Sequence, residues 1–218
     1  LCGRHAVELI IDTVKANPGE VYILCTGPMS NVAMAMKKAP EIKSMIAGIY
    51  AISGAFGLNR YAYANATGDT PQSEWNVYVD PEAADIVYNS GVKLVALGLD
   101  VATHFDVNLT DGDIHMLEQS DKPEAKFFLQ AIRFVNQRGF EAYCAVIDCM
   151  AVGYAIDPEL VTTITGRVGI ETKDGLTLGM TVLDSRHHFV WETLPEVEIG
   201  ESADYEGFLK LLMKLVLA

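Results

Sequence analysis

Basic side chains are scarce: 16 Lys and Arg stand against 29 Asp and Glu, a formal net charge of −13 over 218 residues. Nucleic acid and anionic membrane surfaces reward clustered cations, so neither is an expected partner. A neutral or cationic ligand, or a bound metal ion, fits the balance better. Cysteine is sparse as well. Cys2, Cys25, Cys144 and Cys149 form no C-x-x-C pair and no zinc-type spacing. Three of them stand in apolar runs, which predicts buried, reduced thiols and a cytoplasmic compartment. No apolar run is long enough to span a bilayer, and no signal peptide is visible. Internal repeats and low-complexity linkers are absent, so one domain over residues 1–218 is the simplest organisation. The chain opens "LCGRHAVELI", without methionine and already in a helical pattern. The expectation is that residues upstream are missing.

Half of the residues are hydrophobic, enough for a substantial core. Residues 5–16 place Ala6, Val7, Leu9, Ile10 and Val14 at helical spacing before the turn "NPGE". "VYILCT" (21–26), "IAGIYAIS" (46–53) and "VKLVALGL" (92–99) read as fully buried strands. Ser30 is placed to cap the helix after the first strand. Asp80, Pro81 and Gly91 suit the N-cap, first residue and terminator of another helix. A further helix is expected from about Pro123 to Gln137, leading into "YCAVIDCMAVGYAIDP", also read as helical. "VGIETKDGLTLGMTVLD" reads as a hairpin joined at "KDG", and "YEGFLKLLMKLVLA" closes the chain as an amphipathic helix. Alternating buried strands and helices predict an α/β fold, an open, largely parallel sheet flanked by helices.

In such sheets ligands bind beyond the carboxyl ends of the strands, here "CTGPMSN", "SGAFGLN" and "GLDVATH". The backbone carbonyl of Thr26 leaves the first strand just before Gly27-Pro28 breaks it. A carbonyl freed in this way suits a hard cation such as calcium, although an ordinary strand-to-helix turn has the same pattern. In "SEWN" (73–76), Glu74 and Asn76 alternate around Trp75 in what reads as an extended segment. The two polar groups could grip adjacent sugar hydroxyls beside an aromatic ring; the alternative is a solvated edge strand anchored by Trp75. Asp148 stands in an apolar run, where an ionised carboxylate requires compensation. It is either a helix cap or a metal ligand. "GAFGLN" lacks the full G-x-G-x-x-G dinucleotide pattern, and neither Cys25 nor Ser30 has a histidine at a recognisable spacing. Among the histidines, only His104 falls at a strand end; His5, His115, His187 and His188 suit surface or packing roles.

Taken together, "LCTGPMSNVAMAM", "SEWNVYVDPEAADIVYNSG" and "LGLDVATH" resemble the inosine-uridine-preferring nucleoside hydrolase family. "VIDCMAVGYAIDPEL" and "DYEGFLKLLMKLV" follow in that family's order. The resemblance implies hydrolysis of the N-glycosidic bond of ribonucleosides, a bound calcium ion and a homo-oligomer. It implies that Thr26 supplies a carbonyl ligand and Asp148 a carboxylate ligand. Glu74 and Asn76 would hold ribose hydroxyls, with Trp75 in the place of an aromatic or apolar neighbour. Three departures stand out. The family's N-terminal D-x-D-x-x-x-D-D cluster, which provides the general base and further calcium ligands, has no counterpart here. Ile147 occupies the position where many members carry histidine. Where a G-N pair often precedes E-x-N, this chain has Gly68 or Asp69, with Asn65 nearby. A non-catalytic nucleoside- or sugar-binding relative is the rival expectation.

Overall fold

The computed structural model describes residues 3–103 and 108–218; Cys2 and His104 lie outside the described residues. In chain order the elements are α1 (Ala6–Ala16), β1 (Val21–Cys25), α2 (Ser30–Lys38), β2 (Ile46–Ile52), α3 (Tyr61–Ala64), α4 (Trp75–Val79), α5 (Pro81–Tyr88), β3 (Leu94–Leu97) and α6 (Leu99–Ala102). There follow α7 (Asp111–Gln119), α8 (Pro123–Gln137), α9 (Cys149–Ile156), β4 (Val161–Ile170), β5 (Thr181–Asp184), β6 (Glu196–Ala203) and α10 (Tyr205–Leu217). One sheet runs in the order β1-β2-β3-β6-β4-β5. The pairs β1–β2, β2–β3 and β3–β6 are parallel, whereas β4 runs against both β6 and β5. The expected α/β architecture is therefore observed. Among the described residues, no helix is long and apolar enough to cross a membrane.

The central strands read as continuous apolar runs because both faces are covered. Ile49 and Ala51 of β2, with Leu94 and Ala96 of β3, pack into a cluster with α1, α2 and α5. Their neighbours Tyr50, Ile52, Val95 and Leu97 pack on the other face with α7, α8, α9 and α10. Local signals set the helix ends. Asp80 caps α5 by accepting from Ala83 N at 3.0 Å, Pro81 opens it, and Gly91 follows its end at φ +76°. On α8 the buried Ala125, Phe128, Leu129 and Ile132 fall at helical spacing behind Pro123.

Several expectations are corrected. β1 is not fully buried: Tyr22 is 50% and Leu24 36% exposed, because β1 is an edge strand and cover on that face is incomplete. Ser30 is the first residue of α2 rather than its cap, and its hydroxyl donates to Asp80 instead. The chain kinks into α6 at Leu99, so β3 is shorter than its apolar run. Residues 142–145 form a 3-10 helix and 146–148 a turn before α9 begins at Cys149. β4 and β5 do form a hairpin, but residues 171–180 make an irregular connection rather than a tight turn at "KDG". Cys25 is buried, whereas Cys144 and Cys149 are only partly so, and all three are free thiols.

Ile49, on the central β2, is fully buried. Ile49→Ala is expected to cost about 2–5 kcal/mol, the range for emptying a core aliphatic site. Urea unfolding should show a lower midpoint at an unchanged slope.

Candidate active site

The carboxyl ends of β2 and β3 lead into a set of buried polar groups, Ser53, Glu74 and Asp100, whereas Thr26 after β1 is exposed. Just past β2, the amide of Gly54 donates to Glu74 Oε2 at 3.3 Å. Glu74 is also the N-cap of α4, accepting from Asn76 N at 2.7 Å and Val77 N at 3.1 Å. The expected extended "SEWN" segment is thus a helix start, and Glu74 and Asn76 do not alternate along a strand. The capping carboxylate outcompetes strand pairing, because it satisfies amides that a helix start otherwise leaves bare. The turn still brings the two polar residues together. Asn76 Nδ2 donates to Ile52 O at 2.9 Å, which fixes the amide at the end of β2. Trp75 is exposed; its amide donates to Thr67 Oγ1 at 2.9 Å and its ring lies 6.3 Å from that of Tyr78. It is not a core anchor.

Thr26 follows Cys25, which pairs in register with Ala51 of β2. Thr26 therefore stands beside Ile52, whose carbonyl holds Asn76. Its own carbonyl accepts no hydrogen bond among the described residues. Asp148 sits at the N-cap position of α9 but its side chain makes no capping bond, so the cap reading fails. The residue is exposed rather than buried, which removes the premise that its apolar run encloses it. Partial desolvation nevertheless raises the pKa of its carboxyl. Asp148 is close enough to influence Glu74. Burial pushes the Glu74 carboxyl up to about 7 against the pull of its three backbone amides, and the charge of Asp148 adds to the rise.

Thr26 and Asp148 offer oxygen donors only, the right kind for calcium. They are too few for a complete shell of about six to eight oxygens, and among the described residues no group of three or more His, Cys, Asp or Glu could hold a metal ion. Cys25 is no nucleophile, since burial pushes its thiol up to about 12. Asn65 is committed elsewhere, donating to Thr103 O and Thr103 Oγ1 at 2.9 Å each. His5 caps α1 and His115 bonds Gln119, so neither faces these groups through the contacts they make.

Sequence reasoning missed Asp100 and Thr181. Asp100 is 0% exposed and accepts from Phe56 N at 2.9 Å and Leu58 N at 2.7 Å. It stands in the apolar run "LVALGLDVA", the same signal that singled out Asp148. Thr181 carried no signal, because its partner Ala55 lies 126 residues away.

A family model described as inosine-uridine preferring nucleoside hydrolase matches residues 2–210. The chain is 33% identical over 213 residues to the pyrimidine-specific ribonucleoside hydrolase RihA of Citrobacter koseri, covering 95% of this chain and 64% of that protein. RihA of Salmonella paratyphi C is 34% identical with the same coverage. The chain thus spans just under two thirds of the length of these relatives. Among solved structures, a purine-preferring ribonucleoside hydrolase from Gardnerella vaginalis matches with a TM-score of 0.77 and 30% identity, over 98% of this chain and 65% of that one. A plant nucleoside hydrolase, PpNRh1, gives 0.79 and 26% over 100% of this chain and 68% of that one.

The raised Glu74 pKa has a signed consequence. The folded state holds the proton up to about pH 7, while an ordinary glutamate releases it near 4.5. The folded form binds the extra proton between these values, so stability falls as pH rises through that window. The full loss approaches roughly 3 kcal/mol. Urea unfolding without added metal should show this decline from pH 4.5 to 7, and Glu74→Gln should flatten it.

Proposed function

Because the chain belongs to the inosine-uridine preferring nucleoside hydrolase family, we propose that the protein hydrolyses the N-glycosidic bond of ribonucleosides to free base and ribose, with calcium as its metal. The observation that carries this reading is Asp148, a carboxylate left without a capping bond within electrostatic reach of the buried Glu74. Thr26 O and Asp148 are assigned to the metal, Glu74 and Asn76 to ribose, and Trp75 to the neighbouring apolar surface. Calcium, when bound, supplies a Lewis-acidic centre for water and the sugar diol. The chain's own residues contribute position and charge. Asn76, fixed through its Nδ2 on Ile52 O, keeps its amide oxygen to accept from a ribose hydroxyl. Glu74 accepts from three amides, and a carboxylate keeps further lone pairs for a sugar hydroxyl. Asp148 adds negative charge near the oxocarbenium-like transition state of glycosidic cleavage. Ile147 can neither donate nor accept a proton, so leaving-group assistance falls to another group.

The substrate is proposed at the level of a ribonucleoside, since the named relatives include a pyrimidine-specific and a purine-preferring enzyme. A homo-oligomeric assembly, a cytoplasmic location and the lack of nucleic-acid and membrane partners complete the reading. They rest on the resemblance, the free thiols and the net charge of −13. Asp148→Ala is expected to abolish calcium binding in titration calorimetry and cleavage of uridine and inosine by chromatography. Undiminished calcium affinity in the variant would sink the metal assignment. Calcium and nucleoside binding without cleavage in the unaltered protein would favour a non-catalytic binding relative.

A further inference from the structure

Residues 54–58, where β2 gives way to the loop beneath Glu74, are held in an unusual manner. Four of the five amides donate to side chains rather than to backbone: Gly54 to Glu74, Ala55 to Thr181, and Phe56 and Leu58 to Asp100. The three acceptors are all buried, Glu74 at 3%, Thr181 at 1% and Asp100 at 0% exposure. They come from the cap of α4, from β5 and from α6. Thr181 does the most with the least. Its hydroxyl accepts from Ala55 N at 2.9 Å and donates to Ala55 O at 2.8 Å, satisfying both backbone groups of one residue as a paired strand would. The carbonyl of Gly54 is taken too, by Leu99 N at 2.9 Å. The approach is close: a Cβ on Gly98 would meet Gly54 O at 2.9 Å, and Gly54 itself sits at φ +89°. A buried carboxylate and an off-sheet backbone are both costly. A segment clamped through four amides and two carbonyls from three directions is a device for fixing position.

We propose that Thr181, with Asp100, is a positioning residue of the nucleoside site. It locks residues 54–58 so that Gly54 holds the Glu74 carboxylate, and with it Asn76, where ribose is bound. This deepens the hydrolase reading and rests on it for the identity of the ligand. The connection before β5 supports the same coupling. Met180 bridges to Ser73, next to Glu74, and Leu178 O accepts from Thr70 Oγ1 at 3.0 Å. The hairpin therefore braces the segment that leads into the α4 cap as well as Ala55.

The test uses a matched pair: Thr181→Val removes the hydroxyl at nearly constant shape, and Thr181→Ser keeps it. Amide hydrogen exchange is expected to quicken in T181V at Ala55 and also at Gly54, Asn76 and Val77, the amides that Glu74 holds, with protection recovered in T181S. Acceleration confined to Ala55, or equal acceleration in both variants, overturns the proposal. If T181V does not fold, Asp100→Asn is read in the same way at Phe56 and Leu58 against Asn76 and Val77. With uridine and inosine as substrates, T181V should lower kcat by roughly ten- to a hundredfold. KM should change by less than about threefold, as expected for lost orientation rather than lost binding. T181S should recover most of the rate; a fall in KM affinity alone counts against positioning. If the unaltered protein cleaves neither nucleoside, the hydrolase reading fails, while the exchange pattern still decides whether Thr181 positions Glu74.

Discussion

The carboxylate of Glu74 is the joint on which the site depends. One oxygen pair starts α4, ties that helix to the first residue after β2, and so sets where Asn76 can reach the end of the same strand. Three amide donors would ordinarily hold a carboxyl well below its usual range. Here burial wins, and the pKa rises to about 7. Besides burial and these amides, the charge of Asp148 adds a smaller push in the same direction as burial. A cation beside Asp148 would offset that charge.

The sheet's central part was legible in the sequence because burial on both faces removes the polar alternation and leaves plain apolar runs. Ile49, Tyr50, Ala51 and Ile52 all look alike as letters and face two different cores. The same lack of alternation misled at β1, whose run "VYILC" is as apolar as the others but lies at the edge. Periodicity reports composition along one strand; whether a neighbour or helix covers it is a tertiary fact. The start of α5 was readable to the residue, since Asp80 and Pro81 each carry a local mechanism, whereas the helix ends at Tyr88 with Asn89 as its cap, ahead of Gly91.

The site was legible in part. Glu74 and Asn76 do come together at the end of β2, yet Glu74 reaches its place as a cap rather than along a strand. Asp148 and Asp100 show the boundary of the argument from apolar context. Both are acids in hydrophobic runs, and only one is enclosed. Asp100 is compensated by amides of a loop more than forty residues away, so its burial is affordable; Asp148 meets solvent at the start of α9. Sequence spacing alone does not separate the two. Long-range partners such as Thr181 and Ala55 are invisible to it altogether.

The edge strand β1 has a consequence for how the molecule behaves in solution. Among the described residues no strand pairs with its outer edge, and Tyr22 and Leu24 on β1, Leu9 on α1 and Met34 on α2 are exposed. An unpaired, flat apolar edge templates self-association. Opposing it is mutual repulsion from a net charge of −13, a long-range force that dissolved salt weakens. Salt screens that repulsion, so the closeness with which exposed apolar surface on different molecules can approach depends on ionic strength.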